Sequence, residues 1–180
     1  MPVLSLLRDR AKNIFKIRNI KSILSREFSL QEEEIKAKVI NIEHHRAHLA
    51  SAYFVSPFKA STIVSLDGSG DFTSCMVATG KENKLKVLYE INFPHSLGLL
   101  YTAFTQFLGF NNFGDEHRVM GHSAFGVPRF IKEMEDVLKI QDRGRFKLDM
   151  KYFSFPFQGV SLRWHNCQPK LATVFSPRLT

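Results

Sequence analysis

Cysteine is scarce in this 180-residue chain: there are two, Cys75 and Cys167, and neither belongs to a C-x-x-C pair. That excludes a zinc knuckle and a disulfide framework. Cys75 falls in an apolar, strand-like run, where a free cysteine behaves as a small buried hydrophobe, so both cysteines read as structural. No apolar run approaches the roughly 18 residues needed to cross a bilayer, and no secretory leader precedes a cleavage site. The expectation is a soluble protein of the cytoplasm. An aromatic platform for nucleic acid is missing too: the 17 Phe are not interleaved with Lys and Arg as single-strand binding requires, and they read as core.

What is present is an uneven positive charge. Of the formal +8, residues 1–30 hold seven cations (Arg8, Arg10, Lys12, Lys16, Arg18, Lys21, Arg26) against Asp9 and Glu27, a net of +5 that leaves +3 for the remainder. In that segment Leu4, Leu7, Ala11, Ile14, Phe15, Ile17 and Ile20 recur at helical spacing, with the cations on the other side. Three readings fit residues 1–30: a basic helix docking on protein, a helix on a membrane surface, and an organelle transit peptide poor in Ser. Residues 31–180, within a chain that is 44% apolar, can bury one core, as one domain or a piece of a larger one.

The densest chemistry lies in Asn41-Ile42-Glu43-His44-His45-Arg46-Ala47-His48, followed nineteen residues later by Asp67. The apolar run Ala37 to Ile42 predicts a strand and Arg46 to Phe54 a helix, which puts His44 and His48 one turn apart on one face. Their Cβ atoms are then about 5–6 Å apart, close enough for both imidazoles to reach one cation. A carboxylate from the end of the next strand, Asp67, completes a two-His, one-carboxylate set suited to iron or zinc. The same spacing also arises in helices that bind nothing. His45 should point away from the shared face, as a solvent or packing residue.

Further along, Thr62 to Leu66, Phe72 to Thr79 and Leu85 to Phe93 predict an antiparallel meander. Its first turn, Asp67-Gly68-Ser69-Gly70-Asp71, is an ordinary hairpin or an anion nest, in which Gly68 and Gly70 take positive φ and turn amides inward. Pro94 ends the third strand, and Ser96 is placed to cap a helix reaching about Leu108, with Leu97, Leu100, Tyr101, Phe104 and Phe107 or Leu108 on its apolar stripe. Gly114 to Glu116 reads as a helix start. Pro128 permits another helix, whose buried side is Phe130, Ile131, Met134, Val137 and Leu138. Lys147 to Phe157 reads as one or two short strands, and the tail with Trp164, Pro169 and Pro177 has no clear period. Three strands followed by a helix begin each lobe of the actin-like ATPase superfold, so the fold class expected is α/β: a partial actin-like, ribonuclease H-like lobe with flanking helices.

His44 to Phe54, Ser56-Pro57-Phe58, Asp67 to Asp71, Phe93 to Tyr101, Gly109-Phe110 and Gly114 to Gly121 together resemble the O-carbamoyltransferases of nodulation and antibiotic biosynthesis. The likeness runs from about Val39 to Pro128 and weakens toward Pro177. It implies a metal- and nucleotide-binding domain of an enzyme that moves a carbamoyl group from carbamoyl phosphate, through carbamoyl-adenylate made from ATP, to a hydroxyl of a small molecule. By motif position His44, His48 and Asp67 would be the catalytic metal ligands, for Fe(II) or Zn, with a further carboxylate beyond the end of this chain. Gly68, Ser69, Gly70 and Asp71 would face the nucleotide or donor, and Ser96 and Gly98 would line the transfer site.

Members of that family are several hundred residues long. The first phosphate loop and the C-terminal activating domain have no counterpart here, so residues 31–180 read as a partial N-terminal domain, a fragment or truncated product to which a complementary chain could supply the missing parts. Arg118 stands where Lys is usual, and His122 where Leu is. Arg is not an equivalent point charge. Two other functions fit the same residues: a non-catalytic remnant or partner subunit that docks through the basic helix, and a relative of the tRNA threonylcarbamoyl-transferring proteins, which share the two-His helix. Pro94 to Gly98 and Gly121 favour the small-molecule branch, and the mild charge of residues 31–180 gives no tRNA footprint.

Overall fold

Backbone groups in an extended segment must find partners on a neighbouring strand, and that requirement decides which apolar runs become sheet. In the computed structural model, which describes residues 20–112 and 114–153, the chain forms two units, Met1–Ile42 and Glu43–Thr180. In the first, helix α1 spans Ile20–Phe28 and a single 3-10 turn spans Glu32–Glu34, closed by Glu34 Oε2 accepting the Gln31 amide at 2.7 Å. The expected strand Ala37 to Ile42 does not form: these residues are coil and exposed. No strand among the described residues pairs with it. Of the helix expected over residues 1–30, the described part is α1; residues 1–19 lie outside the described residues.

The second unit is α/β. Helix α2 (His44–Tyr53) leads into an antiparallel meander of β1 (Ala60–Gly70), β2 (Thr73–Lys81) and β3 (Lys84–Asn92), followed by α3 (Leu97–Phe107), α4 (Glu116–Ser123) and α5 (Ile131–Val137). A small hairpin of β4 (Leu138–Ile140) and β5 (Phe146–Leu148) closes the described chain. Sequence pattern located the meander and α3 closely. The hairpin was not foreseen as such: the chain passes from α5 straight into β4 at Leu138. The expected strand residues beyond Phe153, and Cys167 and Trp164 with the tail, lie outside the described residues. Among the described residues no helix is long and apolar enough to cross a membrane.

The first hairpin turn differs from expectation in an instructive way. Gly68 and Gly70 do not adopt positive φ; the left-handed residues are Asp71 (φ 48°) and Phe72 (φ 75°), two successive positive values as in a type I′ turn. The strand runs on to Gly70, and its register with β2 slips between Leu66 and Gly70, where three residues of β1 face one of β2. Asp67, Gly68 and Ser69 therefore occupy a bulge, a device that re-aims side chains.

Alternation then distributes the core. Ile63, Met76 and Ala78 face α2 and pack on Leu49 and Tyr53. Cys75, Val77 and Ile91 face the other way against Phe146, which bears out the buried, structural reading of Cys75. Gly80 lies so near Tyr53 that an added Cβ would come within 2.6 Å of its ring. Helix α3 buries Leu99, Leu100 and Ala103 against Val137, Leu148 and Phe153. The stripe is thus rotated from the expected one: Tyr101 and Leu108 are largely exposed, as is Ile131 on α5, because Leu99 and Ala103 meet the β4–β5 layer, which local periodicity cannot reveal.

Ser96 caps α3 as its position predicts, its Oγ accepting the Leu99 amide at 3.1 Å. The preceding residue, His95, ties this corner to β5: its Nδ1 accepts the Leu148 amide at 3.3 Å, and its carbonyl accepts the Ser74 hydroxyl. Burial, with the charge of Lys147 added, holds the His95 imidazole below its usual 6.5. The unfolded chain then takes up a proton at a higher pH than the folded one. Stability from this group is present above pH 6.5 and is lost as pH falls from 6.5 toward the folded value. Urea midpoints at pH 7 and pH 5 are expected to fall less for His95→Asn, which keeps a short acceptor, than for wild type.

Candidate metal centre

Helix α2 begins under tight control. Glu43 is its N-cap, and its carboxylate accepts the amides of His45 (3.0 Å) and Arg46 (2.7 Å). The Asp71 carboxylate, arriving from the β1–β2 turn, accepts the His44 amide at 3.0 Å. Three donors left unpaired by helix geometry are thereby satisfied by two carboxylates, which also suit the positive end of the helix dipole. The first turn is fixed, and with it the direction of the His44 side chain.

The structure brings the three expected ligands together. His44 Nε2 is 2.8 Å from Asp67 Oδ2, His48 Nε2 is 3.0 Å from His44 Nε2, and His48 Nε2 is 3.8 Å from Asp67 Oδ2. All three groups offer ligand atoms within 4.8 Å of one another. The second oxygen, Oδ1, accepts the Gly68 amide at 2.6 Å, which fixes the carboxylate plane. Burial pushes the Asp67 carboxyl up, but the His44 hydrogen bond, the Gly68 amide and the positive potential of His44 and His45 outweigh it, so its pKa lies below the ordinary 3.8. The carboxylate is ionised at neutral pH. The side chains are 39–53% exposed, so the cluster opens to solvent and its ion-pair energy is screened.

Proton counting shows why the donor set fits a cation. A ring nitrogen has one in-plane valence, holding either a proton or a lone pair. His44 Nε2 has two neighbours at bonding distance, so one proton there cannot serve both. A triangle with these three sides has a circumradius of about 1.9 Å, and a point about 0.9 Å out of its plane is about 2.1 Å from all three atoms, the usual length of Zn–N and Zn–O bonds. Such a point has all three ligand atoms on one side of it, the pattern of two-His, one-carboxylate sites for Fe(II) and of three-ligand zinc sites.

The other residues expected in the site lie around these three. Ser69 is exposed in the bulge. Gly70 abuts the His44 ring: an added Cβ would lie 2.1 Å from Cδ2. Asp71 serves the helix cap. Ser96 is fully buried, its hydroxyl donating to the Asp67 carbonyl at 3.0 Å while it caps α3. At Gly98 a Cβ would lie 2.8 Å from the Asp67 backbone. Both residues grip the chain behind Asp67. His45, expected in solvent or packing, is buried with 0% exposure, hydrogen-bonded to Ser65 Oγ (2.8 Å) and the Thr73 carbonyl (2.9 Å). Ser65 and Thr73 were missed; strand alternation, which sets Ser65 on the same face as Ile63, was the available signal.

Residues 8–165 match the family model described as the carbamoyltransferase N-terminus, and the chain belongs to that family. It is 40% identical over 114 residues to an uncharacterized protein, sll1178, of Synechocystis, covering 63% of this chain and 18% of that protein. It is 32% identical to the nodulation protein NolNO of Sinorhizobium fredii over 130 residues, 72% of this chain and 19% of the relative. With the nodulation protein NolO of Bradyrhizobium diazoefficiens the identity is 32% over 110 residues, 61% and 20% of the two chains. The chain thus spans about a fifth of the length of the curated relatives it matches.

Two substitutions separate ligand geometry from the strand behind it. Gly70→Ala must displace the His44 ring and is expected to weaken zinc binding by at least about tenfold, read by competition titration, with little change in circular dichroism. Gly98→Ala presses on backbone instead and is expected to cost about 1–3 kcal/mol in urea denaturation.

Proposed function

We propose that this chain is the metal-holding part of an O-carbamoyltransferase with an actin-like, ribonuclease H-like fold. In this reading a carbamoyl group passes from carbamoyl phosphate, by way of carbamoyl-adenylate, to a hydroxyl of a small molecule. The observation that carries it is the convergence of His44, His48 and Asp67 inside a region matching the carbamoyltransferase N-terminus. His44, His48 and Asp67 would hold Fe(II) or Zn. When bound, the cation would polarise a donor oxygen and offset the charge that develops during acyl transfer.

The chain's own residues set the terms of that binding. Asp67, held ionised, supplies the one negative charge of these three side chains. A divalent ion would keep a net positive charge to attract an anionic donor. Beside it, the exposed Ser69 hydroxyl has no hydrogen bond among the described residues and is available to a phosphate, whereas Asp71, Ser96 and Gly98 are engaged in holding the ligands. Activation of the carbamoyl group with ATP would fall to another domain, in the same polypeptide or on a complementary chain. A cytoplasmic setting agrees with a free, buried Cys75.

Metal content by elemental mass spectrometry on anaerobically purified protein tests the reading. Near-stoichiometric iron or zinc is expected in wild type and none in the His44→Ala/His48→Ala double variant, with circular dichroism alike in both. A folded wild type that takes up no metal would overturn it and leave a docking subunit as the better account.

A further inference from the structure

The ligand set depends on a distance between a helix and a strand, and one side chain spans that gap. His45 follows His44 in α2 but points into the sheet, where it has no exposed surface. Its partners sit on two strands. The Thr73 carbonyl can only accept, so Nε2 carries a proton toward it, while Nδ1 is hydrogen-bonded to the Ser65 hydroxyl. Ser65 lies two residues before Asp67 on β1, and Thr73 is paired with Gly70, the residue that abuts the His44 ring. The ring thus touches β1 just upstream of the carboxylate, and β2 opposite the glycine that seats the imidazole.

We propose that His45 is the positioning residue of the metal centre: through Ser65 and Thr73 it sets the height and rotation of α2 over β1, so that His44 and His48 meet Asp67. The inference rests on the metal reading above for its functional meaning, and on the hydrogen bonds of His45 for its geometry. Apolar packing of Leu49 and Tyr53 also holds α2 to the sheet, but it is non-directional and tolerates a small slide or roll. Two hydrogen bonds from one buried ring do not, because each has a narrow range of length and angle.

The test uses the full chain and needs one readout without metal. In the apoprotein, proton NMR should show a nuclear Overhauser contact between the His44 ring Hδ2 and Gly70 Hα, with zinc affinity measured alongside. His45→Ala is expected to lose that contact and to bind zinc about tenfold or more weakly. His45→Gln, which restores a donor toward Thr73, should recover most of both. Ile63→Ala, which loosens the same helix–sheet contact without touching the histidine, should keep both. Retention of the contact and affinity in His45→Ala, or a Gln variant no better than Ala, overturns the proposal. If the contact behaves as expected but wild type binds no zinc, positioning stands and the metal reading fails. Should His45→Ala not fold, Ser65→Ala carries the same comparison, with weakening of both signals as the expected result.

Discussion

Two imidazoles on a helix and one carboxylate on a strand can share a cation only if helix and strand are held to within a few tenths of an ångström. The contacts around α2 and β1 in the second unit hold His44, His48 and Asp67 at such a spacing. On the helix side that requirement is met by Glu43 and Asp71, which occupy the first-turn amides and stop fraying at His44. On the strand side it is met by the bulge, which frees Asp67 from the ladder, and by Ser96, which holds the Asp67 carbonyl. An unaided bulge would be a weak place to put a ligand. Here the N-terminus of α3 is packed directly behind it.

Glycine serves this arrangement by its size. Gly70, Gly80 and Gly98 each stand where a methyl group would collide, with the His44 ring, the Tyr53 ring and the Asp67 backbone respectively. The residues that do take left-handed φ in the first turn, Asp71 and Phe72, are not glycines. Asp71 tolerates that conformation better than most residues, and its carboxylate is at the same time the cap of α2. One turn therefore reverses the chain and fixes the ligand helix, so the hairpin and the candidate centre are parts of one local structure.

Membership in the carbamoyltransferase N-terminal family and the geometry of the cluster bear on different questions. The family match places most of the chain in the amino-terminal part of much longer relatives. The geometry concerns what these residues do by themselves: bring three potential ligand atoms within 4.8 Å of one another. The side chains of the cluster are partly exposed, while the contacts of Gly70, Ser96 and Gly98 hold His44 and Asp67 from behind.

Much of this was legible in the sequence because it is local. A helical spacing of two histidines, a serine followed by an apolar period, and three alternating runs between turns each carry their meaning within a dozen residues. Ala37 to Ile42 misled because an apolar run becomes a strand only when a neighbour pairs with its backbone. The stripe of α3 was rotated because the β4–β5 hairpin, more than thirty residues away, chooses which side chains are covered. By itself, then, the sequence determined the meander, the His helix, the residues of the candidate cluster and the cap of α3, since these follow from short-range periodicity and hydrogen bonding. Only the tertiary structure decided that Ser96 and Gly98 grip Asp67, that Gly70 seats His44 and that His45 is buried on two strands. Those contacts join residues some twenty to thirty positions apart, and their geometry exists only once helix and sheet have packed.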